Sequence, residues 1–265
     1  MHPMLNIGVR AARAAGRVIT QNVDRVDASN ISRKQKNDYV TEFDRQAEAS
    51  IIQVLHKAYP DHAILGEESG LHGSEDAEYR WVVDPIDGTL NFIQGIPHFS
   101  VSIGLLRNGR PYQGVIYDPM RQELFTASKG EGAFLDGKRI RVSGANSLER
   151  AVIGTGFPHK PSLSFDRYET MTRHFTERVT GIRRLGSAAL DLAYVSAGRL
   201  DGMWMMGISA WDVIAGGLMV REAGGLVNDF SGGDGWMNGG EIVAASPKVQ
   251  HQMLQGLAGS GKADA

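Results

Sequence analysis

The chain has 265 residues, 42% hydrophobic and 22% charged, with a formal net charge of -2. That composition describes a globular protein able to bury a sizeable core, as one large domain or two lobes, with no global attraction to nucleic acid or to an anionic membrane. It contains no cysteine, which excludes disulfides, thiolate metal sites and thiol catalysis, and it has no run near the roughly 20 apolar residues of a membrane span, so a cytoplasmic protein is expected.

Leu5, Val9, Ala12, Gly16, Ile19 and Val23 recur at spacings of three and four, the stripe of an N-terminal amphipathic helix. A second helix carries Phe43, Ala47, Ile51, Val54, Leu55 and Ala58 and stops before Pro60. From Ile64 to about Arg141 the texture changes to strands separated by turn signals: Val101 to Leu106, Asn108-Gly109, Gln113 to Tyr117, Glu123 to Thr126, Asp136-Gly137. Two helices and then mostly antiparallel strands predict an α+β lobe over 1–145. Beyond it the pattern alternates: strand at Val152 to Thr155, helix at Ser164 to Thr180, helix at Ser187 to Ala197, strand at Gly202 to Met206, helix at Trp211 to Ala223 ended by Gly224-Gly225, and strand at Leu226 to Phe230. This predicts an α/β lobe over 146–265, with a frayed glycine-rich tail from Gly256 to Ala265. The basic clusters Arg33, Lys34 and Lys36; Lys138, Arg139 and Arg141; and Arg183 and Arg184 read as solvated surface.

The densest chemical signal is Asp84, Pro85, Ile86, Asp87, Gly88, Thr89, Leu90 and Asn91, entered from the strand-like run Trp81, Val82, Val83. Pro85 cannot donate to a strand ladder and is expected to end the strand, so that two carboxylates face one small volume. Gly88 permits close approach of backbone to a ligand, and a helix starting near Thr89 would aim free amides at the same volume. Carboxylates beside an anion-binding backbone make sense chiefly with divalent cations between them. Asp-Pro and Asp-Gly are also ordinary turn steps. Other acids carry similar alternatives: Glu67 and Glu68 follow the short run Ala63, Ile64, Leu65 and can equally face solvent, while Asp44 and Asp212 open helices and can serve as caps or dipole partners. The near P-loop at Gly256 to Ala263 fails because Ala263 replaces the metal-binding hydroxyl.

Asp84 to Asn91 resembles the Asp-Pro-x-Asp-Gly-Thr/Ser-x-Asn signature of the inositol monophosphatase family, and Trp211, Asp212 and Val213 through Gly225 resemble its second signature. Gly66, Glu67, Glu68, Ser69 and the segment Asp38 to Asp44 resemble two further elements of that family in the same order; Met1 to Leu5, Arg183, Arg184 and Gly186 to Ala193 are similar to its bacterial SuhB branch. The resemblance implies a layered αβαβα sandwich of the inositol monophosphatase and fructose-1,6-bisphosphatase type. It implies a magnesium site in which Glu67, Asp84 and the Ile86 carbonyl hold one ion while Asp84, Asp87 and Asp212 hold a second. Glu67, and Thr89 paired with Asp44, would orient the attacking water; Ile86, Asp87, Gly88, Thr89, Arg183 and Asp212 would contact the substrate.

The activity so implied is lithium-sensitive, Mg²⁺-dependent hydrolysis of inositol 1-phosphate or a similar small polyol phosphate. Inositol-processing members carry a glutamate seven residues before the position of Asp212, where this chain has Met205, and a thioether cannot replace a carboxylate as partner of a sugar hydroxyl. Leu90 stands where the family often has Thr, and Ile214 where a small residue is usual. A nucleotide 3′-phosphate or a sugar bisphosphate is the alternative substrate class. The resemblance also implies a homodimer and, for the SuhB branch, a part in ribosomal RNA transcription antitermination with its factors or with RNA polymerase.

Overall fold

The computed structural model describes residues 2–27, 30–35, 38–158 and 165–260; Met1, Lys36, Ser164 and the tail from Gly261 to Ala265 lie outside them. Helix α1 (Pro3–Asn22) buries Leu5, Val9, Ala12, Gly16 and Ile19, the stripe its periodicity predicts. A hairpin of β1 (Ile31–Gln35) and β2 (Asp38–Thr41) leads into α2 (Glu42–Ala58), where Thr41 and Asp44 form a capping box. Then come β3 (Ala63–Gly66), β4 (Gly70–His72), β5 (Tyr79–Asp87), the short helix α3 (Thr89–Ile93), β6 (Ser100–Arg107), β7 (Arg110–Asp118), β8 (Glu123–Ser128), β9 (Gly132–Leu135) and β10 (Lys138–Arg139). These strands form an eight-stranded sheet in the order β10-β9-β8-β7-β6-β5-β3-β4, antiparallel except for the parallel β3–β5 pair.

The remaining chain supplies β11 (Val152–Thr155), α4 (Phe165–Thr176), β12 (Gly181–Arg183), α5 (Ala188–Ser196), β13 (Gly202–Ile208), α6 (Ala210–Glu222), β14 (Leu226–Asn228), β15 (Gly240–Ala245) and α7 (Pro247–Ser260). Its five strands run in the order β12-β11-β13-β15-β14. Four apolar interfaces stack the elements. Leu5, Ile19, Ile51 and Leu55 of α1 and α2 pack on Trp81, Val83, Ile103 and Val115 of the first sheet. Helices α5 and α6 fill the space between the sheets, touching Ile116, Phe125 and Ala127 on one side and Met203, Met205 and Ile242 on the other. Met171 and Phe175 of α4 and Val249, Met253 and Leu257 of α7 cover the outer face of the second sheet around Trp204. The result is the αβαβα sandwich expected from the resemblance.

The middle helix layer explains two glycines. All residues of α6 from Val213 to Val220 are buried, so the helix has no solvent face and must lie close to its neighbours. Gly104 and Gly114 are paired across β6 and β7, and a Cβ at Gly114 would stand 2.8 Å from the Ala215 carbonyl oxygen.

Several expectations are corrected. Pro85 does not end β5; the strand continues to Asp87 through a slip in its ladder. Helix α4 ends at Thr176 rather than Thr180, and β14 ends at Asn228 rather than Phe230, where the Asp229 carboxylate accepts the amides of Ser231, Gly233 and Gly235 and turns the chain. Gly256 to Ser260, expected to be frayed, instead belong to α7, and the bare Cα of Gly256 lies against the His174 ring of α4. The strands β1, β2, β12 and β15 and helix α7 have sequence signals too short or too mixed to announce them. Gly114→Ala is expected to lower stability by about 1–3 kcal/mol through overpacking against α6, whereas Gly144→Ala, with open space around it, stays within about 0.5 kcal/mol; paired thermal melts check both.

Candidate metal centre

Strands β3 and β5 are parallel, with Gly66 opposite Val83, so Glu67, just past the end of β3, comes beside Asp84, the next residue of β5. The Glu67 amide donates to the Val83 carbonyl at 3.1 Å, and the Glu67 and Asp84 carboxyls share a hydrogen bond. Beyond Asp84 the ladder slips: Asp84 pairs with Ser102 and Asp87 with Ser100, so Pro85 and Ile86 together face only Val101. In a regular strand, residues three apart point to opposite faces; one inserted residue returns Asp87 to the face of Asp84. Proline suits this position because a bulge asks no ladder bond of it.

That face looks toward α5 and α6. Asp87 accepts the Ser187 hydroxyl and the amides of Ala188 at 3.2 Å and Ala189 at 2.8 Å, so it sits on the first turn of α5. Asp212, in the first turn of α6, accepts the Ser209 amide at 2.6 Å. Asp84, Asp87 and Asp212 thereby present carboxylate oxygens that all lie within 4.8 Å of one another. Around them, Thr89 donates to the Ile86 carbonyl at 3.0 Å or to Asp44 at 3.2 Å, and Asp44 accepts the Thr41 amide at 2.8 Å. Gly88, at φ 99, caps α3 and leaves room for the carbonyl of Gly186. Asn91 ties this loop to the second half of the chain, donating to the carbonyls of His98 and Leu185.

Electrostatics separates a cation site from a set of helix caps. Burial raises Asp84 well above the usual carboxylate range, and the charges of Glu67, Asp87 and Asp212 raise it further. Burial lifts Asp87 to about 6 in spite of the Ser187 hydroxyl and the amides of Ala189, Ala188 and Leu190. Asp44 also rises to about 6 by burial, against the hydrogen bonds from Thr41. Two unit charges about 4 Å apart repel by about 4 kcal/mol at an effective dielectric near 20, while a helix N-terminus returns about 0.3–1 kcal/mol. Helix ends alone cannot hold these acids ionised together. An all-oxygen donor set of this kind fits a hard divalent cation.

The sequence profile of the inositol monophosphatase family matches residues 1–261. The chain belongs to that family. Nus factor SuhB of Pseudomonas aeruginosa is 53% identical over 258 residues, covering 96% of this chain and 95% of that protein. The crystal structure of extragenic suppressor protein SuhB from Bartonella henselae superposes with a TM-score of 0.93 at 44% identity over 100% of both chains. An IMPase from Thermotoga maritima is 35% identical, with a TM-score of 0.89 over 98% of this chain and 99% of that one. The family is one of metal-dependent phosphatases, and the acidic cluster is compatible with a bound metal.

Among the residues that the family signatures single out, Glu67, Asp84, Ile86, Asp87, Gly88, Thr89, Asp44 and Asp212 are linked by the contacts above. Arg183 is different: it is exposed at the end of β12 and its guanidinium donates to the neighbouring Ile182 carbonyl at 3.1 Å. Met205 is buried on β13, with its sulfur 3.1 Å from where a Cβ on Gly156 would lie. Three participants escaped the reading of motifs. Ser187 was legible as a helix cap, but nothing local says that its hydroxyl meets Asp87. Glu48 belongs to no motif, although it is buried on α2. Asp191, buried on α5 without a hydrogen-bond partner for either oxygen, is raised well above the usual range by burial and then by Asp87.

These shifts set a pH dependence. A carboxyl raised from 3.8 to about 6 keeps its proton in the fold where the unfolded chain has lost it. Its stabilising effect is complete below about 4 and is lost as the pH rises through 6, where a cation can take the proton's place. His62, His98 and His174, lowered by burial, act in the opposite direction, losing stability as the pH falls. The increment that Mg²⁺ adds to the melting temperature isolates the acids: it is expected to be small at pH 5 and larger at pH 8, and thermal melts with Mg²⁺ and with EDTA at both pH values measure it.

Proposed function

We propose that the protein is a Mg²⁺-dependent phosphomonoesterase that hydrolyses inositol 1-phosphate or a similar small polyol phosphate by in-line attack of water. The observation that carries this reading is the convergence of Asp84, Asp87 and Asp212, with Glu67 hydrogen-bonded to Asp84, in a chain of the inositol monophosphatase family. Glu67, Asp84 and the Ile86 carbonyl would hold one Mg²⁺, and Asp84, Asp87 and Asp212 a second. Bound there, Mg²⁺ would neutralise the phosphate charge and lower the pKa of water.

The chain's own residues divide the remaining work. Glu67 orients the attacking water and can accept its proton. Thr89, whose hydroxyl lies between Asp44 and the Ile86 carbonyl, orients that water from the other side. The Gly88 and Thr89 amides, at the start of α3, would hold phosphoryl oxygens as charge develops on them. Arg183 reaches the leaving group only by turning from its present partner. Met205 leaves the choice of polyol open, and nucleotide 3′-phosphates and sugar bisphosphates belong in the same substrate panel. Asp84→Asn is expected to cut phosphate release from every member of the panel by at least about a hundredfold while the far-UV circular dichroism stays unchanged. Near-wild-type turnover in that variant would refute the scheme.

A second role is favoured by one specific observation, the name Nus factor SuhB carried by a relative 53% identical over 96% of this chain. We infer that the protein, as a homodimer in the cytoplasm, joins transcription antitermination factors or RNA polymerase through surface outside the acidic centre. No helix among the described residues is long and apolar enough to cross a membrane. Asp87→Asn should then abolish hydrolysis while co-purification with antitermination factors persists; loss of both together would argue against a separate binding role.

A further inference from the structure

Glu48 is a buried carboxylate, 2% exposed, for which the proposed reaction has no use. It lies one helical turn after Asp44 on the same side of α2. Its two oxygens accept two consecutive backbone amides, Glu68 at 3.0 Å and Ser69 at 2.9 Å. With the Glu67 amide bonded to Val83, three successive amides of this turn are pinned, and Glu67 is held on both sides. Gly66 is part of the same device. A Cβ there would come within 2.5 Å of Glu48, so the carboxylate occupies the space a side chain would take. Helix α2 thus supports both rims of the centre, through Asp44 to Thr89 and through Glu48 to the turn after β3.

We propose that Glu48 is a positioning residue of the metal centre, which sets the Glu67 carboxylate against Asp84 by binding the amides that follow it. The proposal rests on the reading of the centre as a Mg²⁺ site. A charged acceptor suits this task because it binds both amides at once and more strongly than a neutral group, in surroundings where unpaired amides would be costly.

The test uses the full chain with Mg²⁺ alone as probe, and reads the half-saturating Mg²⁺ concentration from the rise in melting temperature. Glu48→Gln keeps the side-chain length but offers one acceptor oxygen; Glu48→Asp keeps the charge but is one methylene too short to reach both amides. Both are expected to raise half-saturation by about ten- to a hundredfold. If Glu48 serves the fold alone, the metal-free melting temperature falls while half-saturation stays at the wild-type value, and the proposal is overturned. It is also overturned if Glu48→Asp binds like wild type, since charge would then suffice without placement. Gly66→Ala approaches the same contact from the other side: a rise in half-saturation supports the proposal and a wild-type value contradicts it, even if neither Glu48 variant folds. Absence of any Mg²⁺ response in the wild type would instead remove the metal-centre reading itself.

Discussion

Repulsion between buried carboxyl groups is the constraint around which this protein is organised. Asp84, Asp87 and Asp212 are brought together, with Glu67 against Asp84, and burial favours the protonated forms of Asp84 and Asp87. The fold supplies many donors and still leaves the acids short of compensation: Ser187 and two amides of α5 serve Asp87, yet its proton affinity remains high. A cluster that its own scaffold cannot neutralise is poised for a cation, and a cation so held presents positive charge to an anionic ester.

The scaffold meets this strain largely with backbone. The slip in β5 turns Asp87 to the side of Asp84, and the first turns of α5 and α6 deliver amides and Asp212 from the opposite layer. The middle layer can come this close because Gly104 and Gly114 leave the first sheet bare beneath α6, and Gly216 lets α6 approach Leu192 of α5. Packing and chemistry are therefore coupled: glycines deep in the sandwich determine how near Asp212 comes to β5.

Much of this was legible locally. Helices α1, α2, α5 and α6 and the meander from β6 to β8 follow from apolar spacing and turn residues, because a helix stripe and a strand alternation are properties of short segments. The acids at 67, 84, 87 and 212 stood out through the motifs around them. Pro85 was misread for an instructive reason: it does withdraw a ladder bond, but a bulge absorbs that loss without ending the strand. Short elements such as β12 and β15 take their identity from neighbours in the sheet, and no window of sequence contains those neighbours.

What the amino-acid sequence determined by itself is the inventory: which segments are amphipathic, which acids stand at strand ends and helix starts, and which family signatures the chain carries. Only the tertiary structure decided which groups meet. Asp87 and Ser187 are 100 residues apart, and Glu48 and Ser69 are 21 apart, so their contacts depend on the stacking of two sheets and on where α2 lies. Hydrogen bonds and charge repulsion act over a few ångströms of space whatever the separation along the chain, which is why the inventory could be read from one dimension and the centre required three.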